Sequence, residues 1–322
     1  MNFERSGVLR MGRVKLILQI LAAFIIAQLA FWGIYEPNSD TVKDVFDRAP
    51  AIAAESNNVP ENGKLKITVL DVSHGDAILL QDGKRNVMVD VGDSKNRVLL
   101  EQKLAKYDVK RVNTVIVSHH HKDHMGNIFT VAGKYGVSNI YDNGNVNTGN
   151  KNSIKLHDVL SKGKYNNRVL KAGDVIKFDQ GYYMEVLSPG NFLQADKRIK
   201  NDQNNNSVVL KLHYGDFTML FTGDIEAPTE ALLYKEYGSE LKSDVLKVGH
   251  HGSKTSSYYK FIEQVNPQYA LISCGDFEKY HHPNKNVVGS LQHLGAKVYT
   301  TEKNGDLTIT TDGKGFSFTN EK

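Results

Sequence analysis

The feature that most restricts what this chain can fold into is the stretch Ser118-His119-His120-His121-Lys122-Asp123-His124. It follows a β-branched run, Val112, Thr114, Val115, Ile116 and Val117, that reads as a buried strand. Gly126 and the pattern of a helix over 127–135 come after it. Imidazoles and a carboxylate crowded at the tip of a strand must either be solvated or share a cation. The spacing His-x-His-x-Asp-His favours the cation. His119 and His121 close on one ion, and Asp123 and His124 reach a second. Imidazole nitrogen and carboxylate oxygen are the donors Zn²⁺ takes where a position stays open for water. A solvated His-rich turn would not explain the regular place of the carboxylate.

The rest of the chain sets the context. The sequence has 322 residues and a formal charge of +4. Arg5, Arg10, Arg13 and Lys15 against Glu4 put +3 of that charge in residues 1–15, leaving +1 for the remainder. A globally basic nucleic-acid binder is therefore not indicated. Residues 16–35 carry no charge and are long enough to span a bilayer as a helix. The basic flank places residues 1–15 in the cytoplasm, which predicts an uncleaved, single-pass signal anchor with the following domain outside the cell. Residues 36–63, with Pro37, Pro50 and Pro60, read as a tether, and 64–322 as one catalytic domain. The single Cys274 excludes an intramolecular disulfide, as is common for exported proteins of Gram-positive cells.

Within 64–322, strands are predicted over 65–72, 78–81 and 86–91, with Asp82-Gly83-Lys84 as a hairpin turn. A helix over 97–107 leads into the His-rich strand, and 141–152 reads as an Asn- and Gly-rich loop near the site mouth. A second half repeats the logic. A hairpin over 208–212 and 217–221 is followed by a helix over 229–237 and a strand over 244–248 that ends in His250-His251. Another helix, a strand over 269–274, a helix over 287–294 and strands over 298–301 and 307–310 close the domain.

Several segments resemble one family. The His-rich spacing matches the signature of metallo-β-lactamase-fold hydrolases. Leu70-Asp71-Val72-Ser73-His74-Gly75-Asp76-Ala77 resembles the "DVGQGDA" segment of the extracellular domain of ComEC-type competence proteins. Met88-Val89-Asp90-Val91-Gly92, the run 205–210 with Leu220-Phe221-Thr222-Gly223-Asp224, the run 246–253 and His282-Pro283 resemble its later motifs, in order. The resemblance covers about 65–305 and implies a four-layer αβ/βα sandwich.

It also implies roles. Asp224 matches the bridging ligand of a two-metal centre. His251, immediately before Gly252, matches the ligand of the second ion, with the reverse assignment to His250 left open. As strand-end neighbours, His250 and His251 are expected on opposite faces of the pleat. Asp123, His250 and His282 are the residues expected to act in catalysis, the two histidines as candidates to protonate a leaving oxygen. A lone His beside Pro is otherwise a loop residue. Asp71, Asp76 and Asp90 are expected to support the ligands. Asn206 and Ser207 border the metal or substrate, and Ser253, Lys254 and Lys122 stand near phosphate oxygens, solvent exposure being the plainer account of Lys122. Many relatives carry a further His before the bridging Asp. His157 and His213 lack its context and read as structural or exposed, so the first ion is held less firmly and Mn²⁺ stays open beside Zn²⁺. His74 is assigned no role.

Two close ions make hydroxide available near neutral pH and clamp both oxygens of an in-line displacement. The expected activity is hydrolysis of phosphodiesters, with DNA as first substrate. Choline-phosphate or teichoic-type esters, or a non-catalytic binding module built on the metal scaffold, are the alternatives. The long polytopic channel of full competence proteins is not present in this sequence, so DNA uptake is not inferred from it.

Overall fold

The computed structural model describes residues 63–195, 199, 202–275 and 281–322. The basic N-terminus, the membrane span and nearly all of the tether read from the sequence lie outside that set. Two sheets carry the domain. In chain order the strands are β1 (Leu65–Val69), β2 (Ala77–Gln81), β3 (Asn86–Val91), β4 (Thr114–Ile116), β5 (Asn139–Asp142) and β6 (Asn166–Val169), then β7 (Val175–Lys177), β8 (Tyr183–Ser188), β9 (Val209–Tyr214), β10 (Phe217–Phe221), β11 (Val245–Lys247), β12 (Tyr269–Ile272), β13 (Lys297–Thr300), β14 (Leu307–Thr311) and β15 (Phe316–Asn320). One sheet has the order β15-β14-β1-β2-β3-β4-β5-β6, the other β13-β12-β11-β10-β9-β8-β7.

Helices cover the outer faces: α1 (Arg97–Lys106), α2 (Lys122–Met125), α3 (Ile128–Lys134), α4 (Lys151–Ser161), α5 (Ala227–Tyr237), α6 (Tyr259–Val265), α7 (Lys285–His293) and α8 (Thr301–Asn304). The four layers follow from how the strands are written. Consecutive residues of a strand point to opposite faces, and here both are apolar. Leu80, Val89, Ile116, Met219, Val245 and Leu271 pack between the sheets. Their neighbours Leu79, Met88 and Val115 pack outward with Leu100, Leu104 and Ile128 of the first helices. Leu220, Leu246 and Ile272 pack outward with Leu233, Phe261 and Leu291. A sheet apolar on both faces must be covered twice, which gives helix, sheet, sheet, helix.

Parallel pairing in β3-β4-β5-β6 and in β10-β11-β12-β13 aligns their C-terminal ends. In α/β sheets the loops beyond those ends gather the functional groups, and the His-rich stretch follows β4, Asp224 follows β10 and the His250-His251 pair follows β11.

Some expectations are corrected. The strand expected over 65–72 ends at Val69, and the following residues turn back toward the site. β6, β7 and β8 were not foreseen. β6 is exposed at every position, so it carries no alternation, and only pairing with β5 makes it a strand. His250 and His251 do not extend a strand. They lie in the short turn Gly249–Gly252, both with positive φ, at 47° and 54°. A pleat cannot place them; the turn does.

Candidate metal centre

Two glycines bring the backbone segments of the centre together. At Gly75 φ is 110°, and a Cβ there would land on the carbonyl of Asp123; beside it the Asp76 N–H donates to that carbonyl at 3.1 Å. At Gly223 φ is 51°, and a Cβ would meet Ser207 and Ser118 at 2.9 and 3.0 Å. Only glycine accepts both the positive φ and the close approach. These contacts seat Asp123 against the Gly75 loop and hold the Gly223-Asp224 turn against Ser118 and Ser207.

The side chains converge in two groups that share Asp224. Asp123, His124, Asp224 and His251 each offer a ligand atom, and all four atoms lie within 4.8 Å of one another. Asp224 Oδ2 is 3.1 Å from His124 Nε2, 3.5 Å from His251 Nε2 and 3.9 Å from His119 Nε2. His119 Nε2 in turn lies 3.0 Å from His121 Nδ1. His124 Nε2, His251 Nε2 and Asp224 Oδ1 are sealed from solvent with no hydrogen-bond partner among the described residues. Buried polar atoms normally have partners. Nitrogens and carboxylate oxygens crowded around one point, with several of them lacking an ordinary partner among the described residues, are what a cation's donors look like, so this set fits a metal ion.

The backs of the rings are held. Asp90 Oδ2 lies 2.8 Å from His124 Nδ1 and accepts from the Ser118 hydroxyl at 2.6 Å, while its Oδ1 accepts from the Ser118 N–H at 2.7 Å. His251 Nδ1 donates to the Ser273 carbonyl at 3.0 Å, with Asp76 Oδ1 3.4 Å away. Such partners fix the tautomer that leaves Nε2 free for a metal.

Charge in the centre is strongly coupled. Burial alone would lower His251, but Asp224, Asp123 and Asp76 outweigh it and push the ring up to about 10. His124 is raised well above its ordinary value by Asp224 and Asp90, against the same burial. Burial keeps His119 well below its usual value, with the His124 charge adding to it, and burial also lowers His121. Burial would raise Asp123 and Asp224, yet the facing histidines hold both far below the carboxylate range. Four carboxylates, Asp76, Asp90, Asp123 and Asp224, face this cluster, and the pocket favours positive charge at its centre.

The centre opens into a cavity of about 490 Å³, lined by His74, Lys122, Asn204, His250 and His282 among others. His250 lies outside the four-residue group. Its Nδ1 is 3.0 Å from Glu226 Oε1 and 3.2 Å from the Thr255 hydroxyl. The His282 ring centroid is 6.1 Å from that of His251 and 5.8 Å from that of His250. Burial, then the nearby His251 and His250, lower the His282 ring to about 4. Lys122 is 64% exposed at the cavity rim.

Other expected residues sit differently. Asp71 Oδ1 accepts from the Ser73 N–H, and Oδ2 lies 3.5 Å from Lys322 Nζ, so the carboxylate closes its own turn rather than backing a ligand. The Asn206 amide donates to the carbonyls of Ile199 and Asp202 and braces its own loop. Ser207 Oγ accepts from the Asp224 N–H at 3.2 Å and touches the centre through that bond. Ser253 Oγ pairs with Thr255, and its N–H donates to the His250 carbonyl, which tightens the His turn. Lys254 is exposed. His157 is exposed on α4, and His213 stacks on Tyr183.

Sequence reading missed four contributors. His74 Nε2 is 3.2 Å from Asp123 Oδ2. Lys247 Nζ is 2.7 Å from Asp76 Oδ2 and fully buried. Glu226 orients His250. His120, between two candidate ligands, turns away to Ser153 Oγ at 2.7 Å and Asp142 Oδ2 at 3.1 Å. Its carbonyl accepts from the amides of Asn147 and Asn150 on the cavity wall. A lysine inside the apolar run Val245-Leu246-Lys247-Val248 was the one legible signal, since it must find a buried anion.

A double-sheet sandwich with His and Asp donors gathered at the C-terminal ends of parallel strands defines a metallohydrolase scaffold. The chain belongs to the metallo-beta-lactamase superfamily, which it matches over residues 70–276. It is 30% identical over 250 residues to the competence protein ComA of Neisseria gonorrhoeae, covering 77% of this chain and 32% of that protein. It is 29% identical over 263 residues to the ComE operon protein 3 of Bacillus subtilis, covering 75% of this chain and 32% of that protein. The chain thus spans about a third of the length of these relatives. Among solved structures, the metallo-beta-lactamase fold protein YhfI of Bacillus subtilis superposes with a TM-score of 0.54 at 13% identity, over 77% of this chain and 100% of that one, a likeness of fold.

Proposed function

We propose that the protein is a membrane-anchored, extracellular, binuclear metal-dependent phosphodiesterase whose substrate is DNA. The observation that carries this reading is the sharing of Asp224 between two donor groups, His119 with His121 on one side and Asp123, His124 and His251 on the other. The likeness to two competence proteins supports DNA over other phosphodiesters.

When bound, two divalent ions, Zn²⁺ or Mn²⁺, would supply a hydroxide near neutral pH and offset charge on the phosphate. The chain's own residues do the rest. Asp224 holds the two halves in register, and Asp76 and Asp90 keep the rings of His251 and His124 turned toward the centre. His250, oriented by Glu226, faces the cavity where a leaving oxygen would emerge and acts as its proton donor, with His282 beside it. Lys122 at the rim meets a neighbouring phosphate. Residues 16–35 hold the domain at the outer face of the membrane.

The test uses the purified full chain in detergent. Elemental analysis should find up to two transition-metal ions per chain, and the loaded protein should cleave single- or double-stranded DNA. Cleavage of choline-phosphate or teichoic-type esters instead would move the substrate and keep the chemistry. Metal without hydrolysis of any of these would mark a binding module. For the anchor, protease added to intact cells should remove the domain and spare the N-terminus. A domain that resists until lysis would overturn the orientation.

A further inference from the structure

The half of the centre built on His119 and His121 has one donor fewer than its neighbour. The other half counts Asp123, His124 and His251 besides the shared Asp224. The histidines between the His-rich stretch and Asp224 do not make up the difference. His157 is exposed on α4, His213 lies 3.5 Å from Glu185 and stacks on Tyr183, and neither lines the cavity.

Asn204 stands in this place. It lines the cavity with His121 and Asp224. Its Nδ2 is 3.5 Å from His250 Nε2. Its Oδ1 is sealed from solvent and has no hydrogen-bond partner among the described residues. Among the described residues lining the cavity, the side-chain oxygens in that state are Asn204 Oδ1 and Asp224 Oδ1. An orphaned buried carbonyl costs about 1–3 kcal/mol, and in a cavity shared with His121 and Asp224 the natural partner is a cation.

We propose that Asn204 is a metal ligand through Oδ1 and completes the His119, His121 and Asp224 site as two nitrogens and two oxygens. The assignment rests on the binuclear reading above. An amide oxygen is a harder donor than the imidazole that many relatives place there, and carbonyl and carboxylate oxygens suit Mn²⁺. This site therefore binds Zn²⁺ more weakly than its neighbour and accepts Mn²⁺ more readily. The sequence pattern points instead to Asn206 and Ser207.

The experiment is a calorimetric titration of the metal-free full chain in detergent with Mn²⁺ and with Zn²⁺, joined to electron paramagnetic resonance of the Mn²⁺ form. The wild-type chain should show two binding steps and an exchange-coupled Mn²⁺ pair. Asn204→Ala should weaken one step by about ten-fold or more, spare the other, and replace the coupled spectrum with that of an isolated ion. Asn204→Asp keeps an oxygen and should keep both steps, whereas Asn204→His should shift the weakened site toward Zn²⁺. If Asn204→Ala fails to fold, the last two variants decide through their Zn²⁺ to Mn²⁺ preference. Unchanged affinities in Asn204→Ala, or an unchanged preference in Asn204→His, would overturn the assignment. So would the same loss in His250→Ala, because Asn204 would then act only through His250. The readout is binding, so a chain that loses an ion in Asn204→Ala but never cleaves DNA would defeat the nuclease reading and leave the ligand standing.

Discussion

Lys247 Nζ lies 2.7 Å from Asp76 Oδ2, and both side chains are closed to solvent beneath the His251 ring. The ammonium also donates to the Val248 carbonyl at 3.0 Å. Burial would raise the Asp76 carboxyl, but Lys247 and then His251 hold it well below its usual range. Removing one partner of such a pair leaves a charge stranded. Lys247→Met should therefore cost about 3–5 kcal/mol in denaturant unfolding. Asp76→Asn in the same chain should restore much of it, giving a coupling in a double-mutant cycle. Additive losses would show that the pair is not a unit.

The two donor groups sharing Asp224 predict distinct metal losses. Asp224→Ala should lower occupancy at both sites together. His251→Ala should empty mainly one. Elemental analysis after dialysis checks both, and wild-type metal content in both variants would refute the ligand set.

His250 tests chemistry apart from metal holding. His250→Ala should keep its metal while DNA turnover falls by about 10²–10⁴-fold. Bis-p-nitrophenyl phosphate should suffer less, since its leaving group needs little protonation. Glu226→Gln should show the same split more mildly, because Glu226 only orients the ring. Equal losses on both substrates would assign His250 to phosphate positioning. Loss of metal would exchange its role with that of His251.

Glu230 on α5 accepts from the backbone N–H groups of Ser257 and Tyr258 at 2.9 and 2.6 Å. Burial pushes its carboxyl up to about 7, against these two donors. The folded state thus holds the proton more tightly than the unfolded chain. Its contribution is whole below the unfolded value near 4.5 and is lost as pH rises through about 7, a change of about 3 kcal/mol. Glu230→Gln loses one backbone acceptor and should be less stable than wild type at pH 5. The gap should shrink toward pH 8. A gap that is constant with pH would mean the carboxyl titrates normally.

His120 joins the His-rich stretch to the cavity wall. The Ser153 hydroxyl that faces its ring also accepts from the Asn147 N–H at 2.9 Å. His120→Ala should retain metal, cost about 1–3 kcal/mol, and speed amide exchange at Asn147. Unchanged exchange there would show that the wall is held by other contacts.

The double-sided apolar strands, the hairpin turns and the His-x-His-x-Asp-His spacing are written locally, because side-chain alternation and ligand spacing need only neighbouring residues. They point to two sheets covered by helices and to the candidate donors His119, His121, Asp123 and His124. What the sequence could not decide is set by contacts between distant segments. β6 exists because β5 offers it a partner, and Asp71 and Asp90 look alike in sequence yet only Asp90 reaches a ring. The His250-His251 turn owes its left-handed backbone to tertiary packing, and that backbone separates the two rings where a strand would have alternated them. Asn204 rather than Asn206 faces the cavity because its loop is braced elsewhere by Asn206. Three asparagines in a row carry no periodicity, so only the folded loop can choose among them.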